Sequence, residues 1–318
     1  MAESKIPLIA IVGPTASGKT SLAVEICKRY GAEAVSCDSM QIYKGMDIAT
    51  AKPTEDEMKG IPHHLIGFVN PDEPFSVAKY CELAKNKIFD IHGRNKKIVL
   101  VGGTGLYYSS LTENIEFLPE ETDFEYRELL RKRAETEGSQ VLLDELSAID
   151  PEAAAKLHIN NLGRIIRALE IHHTTGKTIT AQNECSKQTP SPFETVTICL
   201  DSRDRQVLYD RINRRVDLML ETGLLDEARE FLSSPLGRTA KQAIGYKELD
   251  PYFRGEKSLD ECIENLKMQT RRYAKRQLTW FRRIDNINYL YIDDYANGIE
   301  LADAACDIIE RRGDFERE

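Results

Sequence analysis

The sequence predicts an α/β fold, a doubly wound parallel sheet with an all-helical insertion. Short apolar runs alternate with segments of helical periodicity, which is typical of strand–helix–strand units. The predicted strands are residues 7–12, 34–37, 97–101, 195–200 and 287–292. A long middle segment is rich in helix formers and charge and contains no convincing strand, so we predict that it lies outside the sheet.

The first predicted unit is a strand, a loop and a helix. Residues 7–12 are apolar throughout and stop at Gly13, as a buried parallel strand does. Apolar side chains then recur at helical spacing over residues 19–30, and Gly31 ends the pattern. Near the other end of the chain, residues 301–311 show the same periodicity, which predicts a helix that caps the core.

Changes in residue composition and periodicity mark the two ends of the predicted insertion. The stretch from about residue 120 to residue 187 is charged and helical in pattern, and the best breaks around it are Pro119 and the polar residues 189–191. The resulting division is a core of residues 1–118 and 190–318 and an insertion of residues 119–189.

Composition restricts the classes of protein. The 318 residues, 41% of them hydrophobic, suffice for one sizeable core and a smaller one, which excludes a disordered or fibrous chain. The net charge of −9 means that a nucleic-acid partner would have to meet local basic patches. The seven cysteines include no CxxC pair, which favours reduced thiols in a cytosol over disulfides or a zinc site. The apolar run near the amino terminus is too short for a membrane span, so we expect a cytoplasmic protein.

Residues 13–20 read GPTASGKT, a GxxxxGK[ST] loop between a predicted strand and a predicted helix. In such loops the backbone amides and the following helix terminus bind phosphate oxyanions. Lys19 adds a mobile positive charge, and the Thr20 hydroxyl is a ligand for Mg²⁺. The loop therefore predicts a site for a diphosphate-shaped group, formed by Gly13, Pro14, Thr15, Ala16, Ser17, Gly18, Lys19 and Thr20.

The acidic residues do not complete the site of an ordinary nucleotide hydrolase. In P-loop NTPases a carboxylate commonly follows a buried strand and helps to hold Mg²⁺. Here the strand at 97–101 ends in the sequence GGT, and Asp38, after the strand at 34–37, is the one well-placed acid. If Asp38 has another task, the machinery for ATP hydrolysis is incomplete.

From Asp38 the chain continues DSMQIYKGMDIATAKP, and with seven further blocks it resembles the bacterial tRNA dimethylallyltransferases almost from end to end. The blocks are GPTASGKT at 13–20, DSMQIYKGMDI at 38–48, PHHLIG at 62–67, GGTGLY at 102–107, NNLGRIIRALEI at 160–171, TGKT at 175–178, QAIGYKE at 242–248 and YAKRQLTWFRR at 273–283. One departure is Ala49, where this family usually has glycine; no functional side chain is lost.

This resemblance implies an activity and a fold. The family transfers the dimethylallyl group of dimethylallyl diphosphate to N6 of adenosine 37, beside the anticodon of a tRNA, and releases diphosphate. It implies a P-loop NTPase-like core related to nucleoside kinases, and a helical inserted domain that grips the anticodon stem-loop. Mg²⁺ is the expected cofactor, and we expect a monomer because nothing in the sequence indicates an obligate interface.

The chemistry of the reaction and the family's pattern together assign roles to four residues. The adenine amine is a weak nucleophile, so a carboxylate must accept its proton as the new bond forms, and Asp38 is the candidate. The departing diphosphate needs positive charge, which Lys19 and Thr20 with Mg²⁺ supply from one side. Arg211 and Arg215 are four residues apart on a predicted helix, and the family's pattern points to Arg215. Without that match, an arginine on an amphipathic helix is usually solvated or paired at i,i+4.

Matching family positions also imply residues that bind the tRNA. Splayed bases of a loop, rather than grooves, are what such a protein reads. The acceptor channel is expected at Asp38, Ser39, Met40, Gln41 and Thr104. RNA contacts are expected at Arg127, Gly163, Arg164, Ile165, Ile166, Arg167, Gln242, Ala243, Ile244, Gly245, Tyr246 and Lys247.

Residues 265–283 are locally basic, with seven Lys or Arg, no Asp or Glu, and three interleaved aromatic residues. Such a patch suits backbone phosphates and predicts steep salt dependence. A helix that buries its aromatic residues is the alternative, and both descriptions can hold for different faces. For His63 and His64, the spacing requires no metal, and structural hydrogen bonding is the expected role.

Three other functions remain open at this level. A P-loop small-molecule kinase would turn over ATP without RNA. A prenyltransferase acting on free AMP would need neither the insertion nor the basic carboxy-terminal blocks. A non-catalytic RNA-binding module with a decayed loop is poorly supported, because Lys19, Thr20, Asp38 and Arg215 are all present.

Overall fold

The computed structural model describes residues 5–117, 123–186, 189–237, 239–312 and 315. The chain divides into two compact units, one of residues 1–112 and 191–318, the α/β unit, and one of residues 113–190, the helical unit. The boundary expected at Pro119 lies outside the described residues.

The α/β unit contains a six-stranded sheet whose paired neighbours are all parallel. Its strands are β1 (Ile6–Val12), β2 (Ala32–Ser36), β3 (His63–His64), β4 (Lys97–Gly102), β5 (Phe193–Asp201) and β6 (Ile287–Tyr291). The order across the sheet is β3-β2-β4-β1-β5-β6, so β1 pairs with β4 on one side and β5 on the other. The predicted parallel sheet is confirmed, with β3 as an unpredicted edge strand.

The α/β unit also contains the helices that connect its strands along the chain and one helix after the last strand. They are α1 (Lys19–Tyr30), α2 (Glu55–Met58), α3 (Val77–Gly93), α4 (Gly105–Thr112), α10 (Arg205–Glu221), α11 (Leu224–Leu232), α12 (Tyr246–Phe253), α13 (Leu259–Phe281) and α14 (Gly298–Glu310). The predicted carboxy-terminal helix is α14, and it packs on α1.

Apolar residues cover both faces of the sheet, which is why its strands are nearly continuous in hydrophobicity. On one face, side chains of α1 and α14, among them Leu22, Tyr30 and Cys306, pack against β1, β4 and β5. On the other face, Tyr80 of α3, Tyr107 of α4 and Phe281 of α13 do so. A third cluster joins α10–α13 to the loop after β2. The carboxyl ends of β1, β2 and β4 are thereby enclosed.

The helical unit is built from α5 (Phe124–Glu137), α6 (Ser139–Ile149), α7 (Pro151–Ala155), α8 (Leu162–Thr175) and α9 (Ile179–Ser186). Its core contains Leu130, Leu142, Leu146, Ile165 and Leu169. Asp150 joins two of its helices, because its carboxylate accepts hydrogen bonds from the backbone amide of Ala153 and from the amide and hydroxyl of Thr180.

Two expectations from composition can be checked. All seven cysteines are free thiols, and only Cys185 is exposed. None of the helices within the described ranges is long and apolar enough to cross a membrane.

Candidate active site

The phosphate loop connects β1 to α1 in a conformation that its glycines permit. Gly13 has φ 138°, and a Cβ at this position would lie 2.5 Å from the carbonyl oxygen of Leu200 on β5, so only glycine fits. Gly18 has φ 94° and precedes α1, whose first amides receive no side-chain cap from the described residues. These uncapped amides are free to bind an oxyanion.

Lys19 is the first residue of α1, and its ammonium group donates to the carbonyl oxygen of Pro14 at 2.6 Å. Burial, reinforced by the positive charge of Arg215, lowers the pKa of Lys19 to about 8, although Asp38 and Cys199 oppose the shift. The partner of the Lys19 ammonium group is thus a neutral carbonyl oxygen, which a charged phosphate oxygen can replace.

Arg215 lies on α10 and reaches the same loop. Its guanidinium is 3.4 Å from the Thr15 hydroxyl and 3.4 Å from the Ala51 carbonyl oxygen. Burial lowers its pKa, which Asp38 opposes. Arg211, one turn earlier, donates to the carbonyl oxygen of Ala16 at 2.8 Å. Of the two arginines, only Arg215 lines the cavity described below.

Asp38 lies two residues after the end of β2, beside the end of β4. Its Oδ1 accepts hydrogen bonds from the amides of Met40 at 2.9 Å and Gln41 at 3.3 Å, which orient the carboxylate. Among the described residues, no hydrogen bond goes to Oδ2. Thr104 joins the two strand ends, because its hydroxyl accepts from the amide of Ser39 at 2.9 Å.

One cavity of about 350 Å³ is lined both by the cations at the phosphate loop and by Asp38. Its polar side is formed by Thr15, Lys19, Thr20, Asp38 and Arg215. Its remaining wall includes the apolar side chains of Met40, Ile66, Val216, Met219, Leu224, Ile244 and Leu266. A cavity of this size, apolar with a few convergent charges, is typical of a small-molecule site.

The stretch 242–247 forms part of the same wall. Gln242, Ala243, Ile244, Gly245 and Lys247 line the cavity. Tyr246 instead is buried and does not line the cavity, and its hydroxyl donates to Glu227 on α11 at 2.9 Å.

Glu227 organises the loop after β2. Its carboxylate also accepts hydrogen bonds from three consecutive amides, those of Asp47, Ile48 and Ala49, at 2.7 to 2.9 Å. The methyl group of Ala49 faces Gly245, where an added Cβ would approach it to 2.9 Å. The alanine that departs from the family pattern therefore packs against a glycine.

Six expected RNA-binding residues lie in the helical unit. Gly163 and Arg164 are exposed on α8, and Arg127 and Arg167 are half-buried. Ile165 and Ile166 are 0% and 3% exposed within the helical core. The side chains of these two isoleucines fill the helical core, because one face of an amphipathic helix must do so, and the RNA contacts expected at residues 163–167 stay a prediction.

The basic stretch 265–283 lies almost entirely on α13 and divides into two faces. Buried side chains include Ala274, Leu278 and Phe281. Exposed cations form the basic face of α13 and of the residues after it: Arg272, Lys275, Arg276 and Arg283. Three other cations are already engaged: Lys267 with Asp217, Arg271 with Asn213 and Arg282 with Asp201. One face therefore packs in the core and buries Phe281, as the alternative expected, whereas binding of backbone phosphates by the exposed face stays a prediction.

The histidine pair hydrogen-bonds as expected. His63 is 2.8 Å from the carbonyl oxygen of Ile61, and His64 is 2.7 Å from the Glu33 carboxylate. In the part of the chain that the structure describes, no three His, Cys, Asp or Glu residues cluster as metal ligands.

The sequence matches one family model, that of IPP transferase, over residues 41–284. It is 50% identical over 283 residues to the tRNA dimethylallyltransferase of Bacillus subtilis, covering 89% of this chain and 90% of that protein. The relative from Thermoanaerobacter sp. is 49% identical over 299 residues, 93% of this chain and 95% of its own.

Solved structures agree. The full-length tRNA isopentenylpyrophosphate transferase from Bacillus halodurans is 44% identical, with a TM-score of 0.71 over 97% of this chain and 98% of that one. A eukaryotic dimethylallyltransferase acting on tRNA is 30% identical, with a TM-score of 0.81 over 98% of this chain and 81% of that one. The chain belongs to the IPP transferase family.

Family membership confirms the P-loop NTPase-like fold and argues against the small-molecule kinase. The IPP transferase model begins at residue 41, after the phosphate loop and Asp38. The roles of the phosphate loop and of Asp38 are therefore argued from the loop motif and from the geometry of the cavity.

Sequence reasoning did not assign several residues of this cavity. Tyr273 and Gln277 of α13 line the cavity, and Glu227 orders its wall. Gln277 lies within the buried face of α13, at helical spacing from Ala274 and Phe281. A polar residue on an otherwise apolar face was the available signal.

Proposed function

We propose that the chain is a tRNA dimethylallyltransferase that transfers the dimethylallyl group of dimethylallyl diphosphate to N6 of adenosine 37 in tRNA. One observation carries the proposal: a single cavity contains the phosphate loop with two cations and also the Asp38 carboxylate. A prenyl diphosphate fits this combination of charge and apolar wall. The relatives in Bacillus subtilis and Thermoanaerobacter are tRNA dimethylallyltransferases, which supports the same activity.

The donor half of the site stabilises the leaving group. As the bond between the prenyl carbon and the diphosphate oxygen breaks, negative charge accumulates on the diphosphate. Lys19 and Arg215 place positive charge beside the loop amides, which favours this charged state over the ground state. The apolar wall around Val216, Met219 and Leu224 gives the dimethylallyl chain a dry surface.

The acceptor half activates the amine. Adenine N6 attacks the prenyl carbon, and Asp38 accepts the proton that N6 loses. The amides of Met40 and Gln41 orient Oδ1, so Oδ2 is the oxygen available to the substrate. Thr104 and Ser39, which are hydrogen-bonded to each other beside Asp38, are suited to contact the edge of an extruded adenine.

The residues fit Mg²⁺ as the cofactor. Mg²⁺ binds through few protein ligands and retains substrate phosphates and waters, so a site without a carboxylate cluster is consistent with it. Thr20, which lines the cavity next to Lys19, would hold the ion through its hydroxyl. When bound, Mg²⁺ supplies positive charge to the diphosphate.

RNA binding completes the proposal. The anticodon stem-loop is bound by Arg127, Arg164 and Arg167 of the helical unit and by the basic face of α13. Gln242 and Lys247, exposed at the cavity wall, contact the RNA near the extruded base. The protein acts as a cytoplasmic monomer.

The test is to incubate purified protein and Mg²⁺ with unmodified tRNA and to supply dimethylallyl diphosphate or ATP in parallel. Digested nucleosides are then analysed by mass spectrometry. We expect N6-(dimethylallyl)adenosine, at position 37, with the allylic donor and not with ATP. Modification of free AMP at the same rate, or ATP consumption without a modified nucleoside, would overturn the proposal.

A further inference from the structure

Gln277 is a buried amide in the cavity that no step above uses. It lies on α13 and is only 6% exposed, on the helix face that carries Ala274 and Phe281. Ala274 and Phe281 are both fully buried, so the backbone that carries Gln277 is held firmly against the sheet. A buried polar side chain in such a place requires partners.

The Tyr273 hydroxyl interacts with the Gln277 side chain. Two further hydrogen bonds of Gln277 lead to the two halves of the site. Its Oε1 accepts a hydrogen bond from the amide of Thr15, in the phosphate loop, at 2.9 Å. Its Nε2 donates to the carbonyl oxygen of Gly103, after β4, at 2.9 Å. One partner can only donate and the other can only accept, so the orientation of the amide is fixed and only a carboxamide satisfies both.

The approach to Gly103 is close. A Cβ at residue 103 would lie 2.2 Å from Nε2 of Gln277 and 3.3 Å from the carbonyl oxygen of Gly13. A glycine at this position therefore allows the side chain of α13 to enter between the phosphate loop and the end of β4.

Hydrogen bonds continue outward from both partners. At the diphosphate site, the hydroxyl of Thr15 lies within 3.4 Å of the Arg215 guanidinium. On the side of the site that holds Asp38, Thr104 follows Gly103, and its hydroxyl accepts a hydrogen bond from the amide of Ser39, the residue after Asp38. Gln277 is thus the central connection in a series that extends from Arg215 to the neighbour of Asp38.

We propose that Gln277 is a positioning residue that sets the separation between the diphosphate site and the Asp38 carboxylate, an inference that rests on the proposed function. Transfer requires the prenyl carbon and N6 to be aligned at near-contact distance. A displacement of about 1 Å in such a pair costs on the order of 100-fold in rate. Gln277 acts through Thr15 and Gly103 and needs no contact with either substrate.

Two variants separate positioning from binding. Gln277→Leu removes both hydrogen bonds, whereas Gln277→Glu keeps an acceptor for the Thr15 amide and loses the donor to Gly103. The matched control is Gln206→Leu, the same change at an exposed residue of α10. For each protein we would measure kcat with saturating tRNA and donor, Kd for inorganic pyrophosphate with Mg²⁺, Kd for tRNA, and Tm.

We expect kcat to fall at least tenfold in Gln277→Leu and less in Gln277→Glu, with both Kd values within threefold of wild type. Gln206→Leu should match wild type in all four measurements. A Gln277→Leu protein with kcat within twofold of wild type would overturn the inference. So would losses of kcat and of both affinities that parallel the loss in Tm, since these indicate general damage to the fold.

If Gln277→Leu does not fold, Gln277→Glu decides by the same criteria, with a threefold fall in kcat as the threshold. A wild-type protein that forms no dimethylallyl-adenosine overturns the proposed function itself. An active wild type with an equally active variant overturns only the role of Gln277.

Discussion

The carboxylate of Glu170 on α8, which is fully buried, accepts two hydrogen bonds from the guanidinium of Arg127 on α5, both at 2.7 Å. The same carboxylate also accepts hydrogen bonds from the Arg167 guanidinium at 2.6 Å and from the backbone amide of Asp123 at 3.1 Å. Two arginines proposed to bind RNA are therefore held by one buried acid. Their guanidinium groups are pre-oriented, which lowers the entropy lost when a phosphate binds.

Replacement of Glu170 by leucine should destabilise the helical unit. The change removes the buried acceptor of the Arg127 guanidinium, and breaking a buried ion pair in this way costs about 3–5 kcal/mol. We expect this loss in the local unfolding free energy that hydrogen exchange reports for amides of α5 and α8. Glu128→Leu, at an exposed acid of α5 that pairs with Arg131, should change it by no more than about 1 kcal/mol. Equal effects of the two changes would contradict the buried-pair argument.

Asp38→Asn should reduce kcat with little effect on RNA affinity. The amide still accepts from Met40 and Gln41 but cannot take a proton from N6. Loss of a general base typically costs about 10²- to 10⁴-fold. Single-turnover transfer to unmodified tRNA measures the step, and a filter-binding Kd provides the comparison. A parallel loss of transfer and RNA binding would show that Asp38 orders the RNA site rather than acting as the base.

Arg215→Leu should weaken use of the donor. A hydrogen bond to a charged group contributes about 1.5–3 kcal/mol, which corresponds to a fall in kcat/KM for dimethylallyl diphosphate of roughly 10- to 150-fold. Arg214→Leu, the adjacent exposed residue on α10, is the control and should match wild type. Unchanged donor kinetics in Arg215→Leu would assign Arg215 a structural role.

The pKa of Lys19 predicts an alkaline limit for donor capture. Burial lowers this pKa from 10.5 to about 8, so the ammonium loses its proton as the pH rises through 8 and attracts the diphosphate less. We expect kcat/KM for the donor to fall above about pH 8. Because the unfolded chain keeps the proton up to about 10.5, the destabilising contribution of buried Lys19 should also shrink between these two pH values.

The control for this pH dependence is Lys19→Arg, which remains charged throughout the range. Its kcat/KM, although lower overall, should lack the inflection near pH 8 in the same buffers. An identical inflection in both proteins would assign the titration to the substrate or to another group.

The basic face of α13 predicts how RNA affinity responds to salt. The plot of log Kobs against log salt has a negative slope, and each phosphate contact that is lost reduces the steepness of this slope by about 0.7 to 0.9. We expect such a decrease for Arg272→Ala, measured from 50 to 250 mM salt. Arg203→Ala removes a guanidinium already paired with Asp294 and should leave the slope unchanged. Equal slopes in wild type and Arg272→Ala would exclude this arginine from the RNA contact.

The strands and helices of the α/β unit were predicted well, because hydrophobic periodicity and helix-ending glycines are signals carried by neighbouring residues. Residues 19–30 were predicted as a helix ended by Gly31, and α1 has those bounds with Gly31 in the left-handed region. The strand β3 was missed because it has only two residues and exists through pairing with β2. Ile165 and Ile166 were assigned to RNA because they lie inside a family block, and a block does not distinguish the two faces of a helix.

The sequence by itself determined the family, the phosphate loop, Asp38 as the acid after β2, and the alternation that produces a parallel sheet. The loop, Asp38 and each strand or helix are encoded in residues close together along the chain, and the family in short blocks spread along it. Only the tertiary structure decided that Arg215 and Asp38 line one cavity and that the cations of α13 divide between a paired set and an exposed face. It also joined Thr15 to Gln277, 262 residues apart. Such contacts leave no periodicity or motif, because they arise when packing closes long loops and a buried polar group has to find its partner.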